Sequence, residues 1–261
     1  MSLKLLYGLV VDIELHWGIT LNYFSGTKSK PVLQVIPPTT IIGALAYPLA
    51  KLKGEPENAG DASRAEMFKE VFTGVYYSIV KGALTPYAEI SKVWFYKVRD
   101  KRAESDAAAF PRLYAKVPTR IRLYYVVDVS KASRKLGIGW RKLLEYAAWS
   151  IMRLGSKESI VSVVDVKTSM VKELDVRGVE VIETPATIPA YNAKSITGNY
   201  VLAEVIDWRK SRIGRYTEAS IVRIAQPVGA YHTPSKVKVE VEETPVYLIE
   251  TPSSVEKLIP W

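Results

Sequence analysis

Cysteine is absent from the 261-residue sequence, and histidine occurs only twice, as His16 and His232. The first absence removes disulfide frameworks, thiolate zinc sites, iron–sulfur clusters and cysteine nucleophiles together. The second removes any metal cage built from several histidines. The signatures G-x-x-x-x-G-K-[ST], G-x-G-x-x-G, G-x-S-x-G and H-E-x-x-H do not occur either, and no D-x-D cluster marks a magnesium site. No cofactor and no metal are expected. Long apolar runs are equally scarce. The longest, residues 41–50, is broken by Gly43 and Pro48 and falls short of the ~20 residues of a membrane span. The opening stretch MSLKLLYGLVVDIELHW carries Asp12 and Glu14 inside its apolar run and lacks a small-residue cleavage site, so it reads as a strand and not as a signal peptide. A cytoplasmic protein without membrane contact is expected.

What the chain does have is an ordinary globular balance, 48% hydrophobic and 24% charged residues. Its length is enough to bury roughly 70% of the unfolded surface without staples. The charge is lopsided. Residues 1–80 hold 7 basic and 7 acidic residues, residues 81–160 hold 17 and 7, and residues 161–261 hold 12 and 13. The whole excess of +9 therefore comes from the middle third, and the pI is 9.4. A localised positive excess is the footprint of a polyanion binder. A thermophilic surface rich in lysine accounts for abundant charge but less well for a one-sided excess.

Period-two alternation of Leu9, Val11, Ile13 and Leu15 with Val10, Asp12, Glu14 and His16 predicts a half-buried opening strand. A long loop over 17–38 follows. Pro37 and Pro38 then start a helix in which Thr39 or Thr40 can cap, Ile41, Ile42, Leu45 and Leu49 form the apolar stripe, and Pro48 kinks or shortens the helix. A short helical pattern covers 61–72. Strands are predicted at 75–80, 92–99 and 119–129. A helix is predicted over 140–154, where Trp140, Leu143, Leu144, Ala147, Ala148, Ile151 and Leu154 make one stripe after a Gly137-Ile138-Gly139 turn. Strands follow at 160–166, 178–183, 200–206, 219–225, 236–242 and 245–249. This is an α+β pattern with helices confined to the first 155 residues, and any second domain is expected to pack closely on the first, since no linker composition separates them.

Basic residues interleave with aromatics. Arg120, Arg122 and Tyr124 share one strand face, which suits stacking on single-stranded RNA with charge on the phosphates. Lys142, Tyr146, Trp149 and Arg153 share a helix flank; packing beneath basic stems is the competing reading. Two basic loops, Lys97-Val98-Arg99-Asp100-Lys101-Arg102 and Arg209-Lys210-Ser211-Arg212-Ile213-Gly214-Arg215, are suited to phosphates. His16 and His232, with Tyr231 or Lys236, offer an alternative: a metal-independent ribonuclease centre.

Two segments carry a resemblance. Pro37-Pro38-Thr39-Thr40-Ile41-Ile42-Gly43-Ala44-Leu45-Ala46-Tyr47 follows a strand and a loop, and Arg153-Leu154-Gly155-Ser156-Lys157-Glu158-Ser159 comes roughly a hundred residues later. Together they resemble the Cas-five family of CRISPR-associated proteins. The resemblance implies a ferredoxin-like (RRM-like) domain of the repeat-associated type over 1–160, with a thumb-like hairpin near 87–118, and a closely packed, mostly β region over 161–261. It implies a non-catalytic subunit of a type I interference complex, subtype I-A. Such a subunit holds the 5′ handle of the CRISPR RNA, caps the backbone filament of Cas-seven subunits and touches the large Cas-eight subunit, with target DNA as a further contact. The residues expected to contact RNA are Lys28, Lys30, Thr39, Thr40, Gly43, Arg99, Lys101, Arg102, Arg120, Arg122, Arg153, Lys157, Arg212 and Arg215. Gly43 would let a neighbour or ligand approach closely, and the helix start at Thr39 and Thr40 would present amides to an anion. Arg153 to Lys157 would hold a phosphate or end a helix, with Gly155 left-handed. The glycine-rich C-terminal loop of related RNA-processing members is reduced here to Pro227-Val228-Gly229-Ala230, and no segment matches the Tyr–Lys–His type of centre with which one subtype of the family cleaves precursor RNA.

Overall fold

The computed structural model describes residues 5–21, 31–59, 62–214, 216 and 219–261. β1 (Leu6–Leu15) and β2 (Gly18–Thr20) lead to α1 (Pro38–Leu52). β3 (Asn58–Ala59) and β4 (Ala62–Ser63) pair with each other just before α2 (Arg64–Phe68). Two long strands, β5 (Phe72–Lys97) and β6 (Arg102–Asp128), precede α3 (Val129–Leu136), α4 (Trp140–Trp149) and β7 (Val161–Leu174). The remainder is β: β8 (Val179–Thr184), β9 (Ile188–Pro189), β10 (Ser195–Thr197), β11 (Tyr200–Ile206), β12 (Ile221–Pro227), β13 (Val237–Glu242), β14 (Val246–Glu250) and β15 (Val255–Leu258).

The main sheet runs β15-β14-β7-β1-β6-β2, with β5 on β6; β10-β13-β8 and β11-β12-β9 form two small sheets. Its centre is the antiparallel series β7-β1-β6-β5, in which α1 crosses from β1 to β5, and α3 and α4 cross from β6 to β7. β7 pairs with β1 from end to end, so one sheet takes strands from both sides of residue 160. The fold is α+β with mostly antiparallel pairing.

Leu9, Val11, Ile13 and Leu15 of β1 join the large core beneath α1, α2 and α4. The opposite face of β1 is not open. Leu6 and Val10 join Tyr76, Tyr124 and Val126 in a second core, covered by Tyr247, Ile249 and Leu258 of β14 and β15. β1 is thus buried on both faces as far as Asp12, where the alternation predicted a half-buried strand. No helix among the described residues is long and apolar enough to cross a membrane.

Several predicted elements are corrected. α1 has Pro37 as N-cap without a side-chain cap, so neither Thr39 nor Thr40 caps it; both lie in the first turn behind Pro38. Proline suits that first position because its missing N–H has no helical partner there. Pro48 lies within α1, which runs on to Leu52 because its stripe stays packed. α4 ends at Trp149, with the Ser150 hydroxyl donating to the Tyr146 carbonyl at 2.7 Å, and not at Leu154. Ile151 and Leu154 are buried from the turn that follows, which extends the apolar spacing beyond the helix. β5 is continuous across Gly82 and Pro86: bulges at 80 and 82 absorb the irregularity, and Gly82 adopts φ 84°, with Thr119 against it where a Cβ would be. α3, capped by Asp128 accepting the Lys131 N–H at 3.0 Å, and β15 have no counterpart in the sequence reading.

Candidate nucleic-acid interface

The two motif segments meet. Thr39, Thr40, Gly43 and Tyr47 of α1 form one wall of a cleft of about 460 Å³; Arg153, Gly155 and Ser156 form the facing wall. Glu57 and Arg64 also line the cleft. Ile213, Gly214 and Tyr216 line it as well, held there by α2 and the residue after it: the Glu66 carboxylate accepts the Ile213 N–H at 2.7 Å, and Lys69 donates to the Ser211 carbonyl at 2.7 Å. Nothing lies within 4 Å of the Cβ that Gly43 lacks, so this glycine serves open space and not helix packing. Gly155 adopts φ 93°, as expected for a left-handed turn, but five residues beyond Ser150 and so not as the helix cap.

Arg153 ties the walls together. Its guanidinium sits over the Tyr47 ring, 4.2 Å from the centroid, and forms an ion pair with Glu57. The anion site expected at the start of α1 is reduced. Pro38 has no N–H, and the Pro37 carbonyl accepts the N–H groups of Thr40 and Ile41 at 3.0 and 3.3 Å. Lys157 is exposed one residue beyond the cleft wall, and Arg212 is exposed beside Ile213. The cleft therefore gathers Thr39, Thr40, Gly43 and Arg153, with Lys157 and Arg212 at its margin.

A second surface is the free end of the β5–β6 hairpin. Its register sorts two faces. Ile90, Lys92, Trp94 and Tyr96 stand on one face opposite Ala109, Ala107, Ser105 and Ala103, so bulky rings flank a row of small residues. Ile90, Trp94 and Tyr96 are 75, 66 and 61% exposed, and Lys92 lies over the Trp94 ring at 4.9 Å. The other face mixes charge with apolar groups: Glu104 pairs with Lys97 and Arg102, Arg112 pairs with Glu89, and the partly exposed Val93, Phe95 and Phe110 stand among them. Arg99, Lys101 and Arg102 are exposed at the turn. On α4, Tyr146 and Trp149 are also exposed and not packed beneath basic stems.

Arg120 and Arg122 do not join these surfaces. Arg122 is 4% exposed and donates to both Asp12 oxygens, at 2.6 and 2.9 Å, and to Glu256 at 2.9 Å. Burial would lower its pKa, but the bonds and charge of Asp12 outweigh this and hold it protonated. Tyr124 is buried beside it and donates to Glu256; the Ser78 hydroxyl, 2.8 Å away, donates to the Tyr124 oxygen in turn. The face expected to stack RNA is closed by β14 and β15, which corrects the expectation for Arg122 and Tyr124. Arg120 is half-buried and paired with Glu14 at 3.4 Å. Lys28, Lys30 and Arg215 lie outside the described residues.

The alternative ribonuclease residues form no centre around His16, whose Nε2 lies 2.8 Å from the Ser162 hydroxyl on the sheet surface. Tyr231 and His232 occupy left-handed backbone at φ 56° and 52° after β12, and Lys236 is paired with Glu183. No group of three or more His, Asp or Glu among the described residues is placed to hold a metal ion. Sequence reasoning missed Arg64, Glu57 and Tyr216 in the cleft and Trp94 and Tyr96 on the hairpin. The period-two run around Trp94 was a signal for the last two; nothing local marks the others.

No family model matches the chain. The CRISPR system aCascade subunit Cas5 1 of Saccharolobus solfataricus is 30% identical over 257 residues, covering 91% of this chain and 94% of that protein. The CRISPR-associated protein Cas5 3 of the same organism is 28% identical over 249 residues, with the same coverage. A crystal structure of a CRISPR protein from Archaeoglobus fulgidus shares the fold, with a TM-score of 0.61 at 23% identity over 96% of this chain and 98% of the other. With the proline–threonine–glycine segment and the Arg153 segment facing each other across one cleft, and with near full-length similarity at 30% identity, this chain belongs to the Cas5 family of CRISPR-associated proteins.

Proposed function

We propose that this chain is the subunit of a type I CRISPR interference complex that grips the 5′ handle of the CRISPR RNA and caps the backbone filament, without cutting RNA itself. The observation that carries the reading is the convergence of Thr39, Thr40, Gly43 and Arg153 on one open cleft, with Gly43 leaving room for a ligand. The relative named as an aCascade subunit supports membership of such an assembly. In this reading, the β7-β1-β6-β5 strand order with its two crossovers is the ferredoxin-like domain of residues 1–160 completed by the strand that follows. The ribbon around 87–118 is a thumb whose exposed rings and terminal cations meet the start of the guide. The region 161–261 supports the cleft and meets neighbouring subunits of the Cas-seven and Cas-eight families, with target DNA nearby, in the cytoplasm.

RNA phosphates supply most of the affinity in such a site, and their counterions make binding salt-dependent. The test is to incubate the pure protein with 5′-labelled repeat RNA in EDTA and run native and denaturing gels side by side. A shifted, intact RNA that dissociates steeply with salt is the expected result. A discrete shorter product that disappears in His232→Ala would replace this reading with the ribonuclease one. Absence of both binding and cleavage, even with the backbone subunit added, would overturn it.

A further inference from the structure

Among the described residues, the two cations that line the cleft, Arg64 and Arg153, are already occupied, both by one short segment. Glu55, Pro56 and Glu57 follow the end of α1. The Glu57 carboxylate pairs with Arg153; Glu55 lies 3.3 Å from Arg64, and the Pro56 carbonyl accepts from Arg64 Nε at 3.0 Å. An empty anion site would leave these guanidinium groups to water. Here they carry internal carboxylates.

The partners differ in how firmly they are held. The Arg153 side chain is 19% exposed and stacked on Tyr47, and that of Arg64 is 15% exposed. Glu57 is 46% exposed, so its carboxylate can turn to water at little cost. Glu55 Oε2 is shut off from solvent yet makes no hydrogen bond. The arginines are thus the fixed half of each pair and the carboxylates the replaceable half. A phosphate offers arginine a bidentate, charge-assisted partner at least as good as a carboxylate.

We propose that Glu55-Pro56-Glu57 is an internal anionic strap that occupies Arg64 and Arg153 until a nucleic-acid phosphate replaces it. This rests on the reading that the cleft takes RNA. Entry is then an exchange of anions. A stray phosphate gains little by it, whereas an RNA that also engages the surroundings of the cleft does. Arg64 becomes a phosphate-binding residue alongside Arg153.

The experiment measures affinity of the full chain for a labelled single-stranded RNA of the repeat's handle sequence, with oligo(U) of equal length as reference. Glu57→Gln should bind about two- to fivefold more tightly. Its salt dependence should be steeper, because Arg153 now releases a buffer anion on binding. The gain should vanish in an Arg153→Ala background. Glu180→Gln, remote from the cleft on β8, removes the same charge and controls for net charge. An equal gain in Glu180→Gln, or a gain that survives Arg153→Ala, would overturn the strap. Wild-type binding with no gain in Glu57→Gln or in Glu55→Gln/Glu57→Gln would overturn the strap and leave the RNA reading standing. Absence of RNA binding by wild type and every variant, with the backbone subunit present, would overturn both.

Discussion

Arg122 and Asp12 stand opposite each other in the β1–β6 register and bond through both carboxylate oxygens inside a sheet face that β14 and β15 close. Removing one partner of a buried pair leaves the other charged and uncompensated, which costs about 3–5 kcal/mol. Glu256 still pairs with Arg122, so Asp12→Ala should lower stability by less than that, on the order of 2–3 kcal/mol, in urea unfolding. Asp12→Leu/Arg122→Met/Glu256→Gln, which removes all three charges of the network, should recover much of it. RNA affinity of the folded Asp12→Ala protein should be unchanged, because this network lies away from the cleft.

Gly43 sits in the interior of α1 with open space where its Cβ would be. Gly43→Ala should therefore stabilise the protein by roughly 0.5–1 kcal/mol, the helical cost of glycine. Gly43→Phe should keep the melting temperature while filling the cleft, and should weaken RNA binding by about tenfold or more, as read in a titration.

The hairpin makes a separable contribution. Trp94 is 66% exposed, so Trp94→Ala should leave the melting temperature unchanged and cost about 1–3 kcal/mol of RNA affinity if a base stacks there. Arg99→Ala and Lys101→Ala should each reduce the slope of log affinity against log salt by about 1 for a lost phosphate contact.

Burial pushes the His232 imidazole below its ordinary pKa. The neutral ring is thus favoured in the folded state. Its contribution is complete above the unfolded pKa of about 6.5 and is lost as pH falls from there toward the lower folded value. Urea midpoints should be lower at pH 5.5 than at 7.5, and His232→Gln should flatten part of that difference.

The alternation in β1 and the proline pair before α1 were legible because each is written in adjacent residues. So were β11 to β14, each predicted to within two residues. α4 was misjudged in length because Ile151 and Leu154 are buried by a turn, and periodicity records burial without recording its cause. The same limit explains Arg122. Alternation assigns it to a face, but what covers that face comes from residues 246–258, more than a hundred positions away. α3 carries a local signal too, Asp128 three residues before Lys131, but its eight residues are too few for an apolar stripe to stand out. The motif residues of the cleft were recognisable as two segments; that they form one site depends on α1 and the turn after α4 packing side by side, and Glu57, Arg64 and Tyr216 enter only through that packing.

The closure of the sheet by β15 also ties together parts of the chain that are far apart in sequence. Arg122 bonds to Asp12 across 110 positions and to Glu256 across 134. Contacts so distant in sequence form late, because the intervening loops must first be closed. Until Glu256 docks, Arg122 has one carboxylate and Tyr124 lacks its acceptor, while Tyr76, Tyr124 and Leu6 remain wetted. Any state in which β15 is undocked therefore exposes these rings beside a charged arginine, and only the return of that strand covers them again.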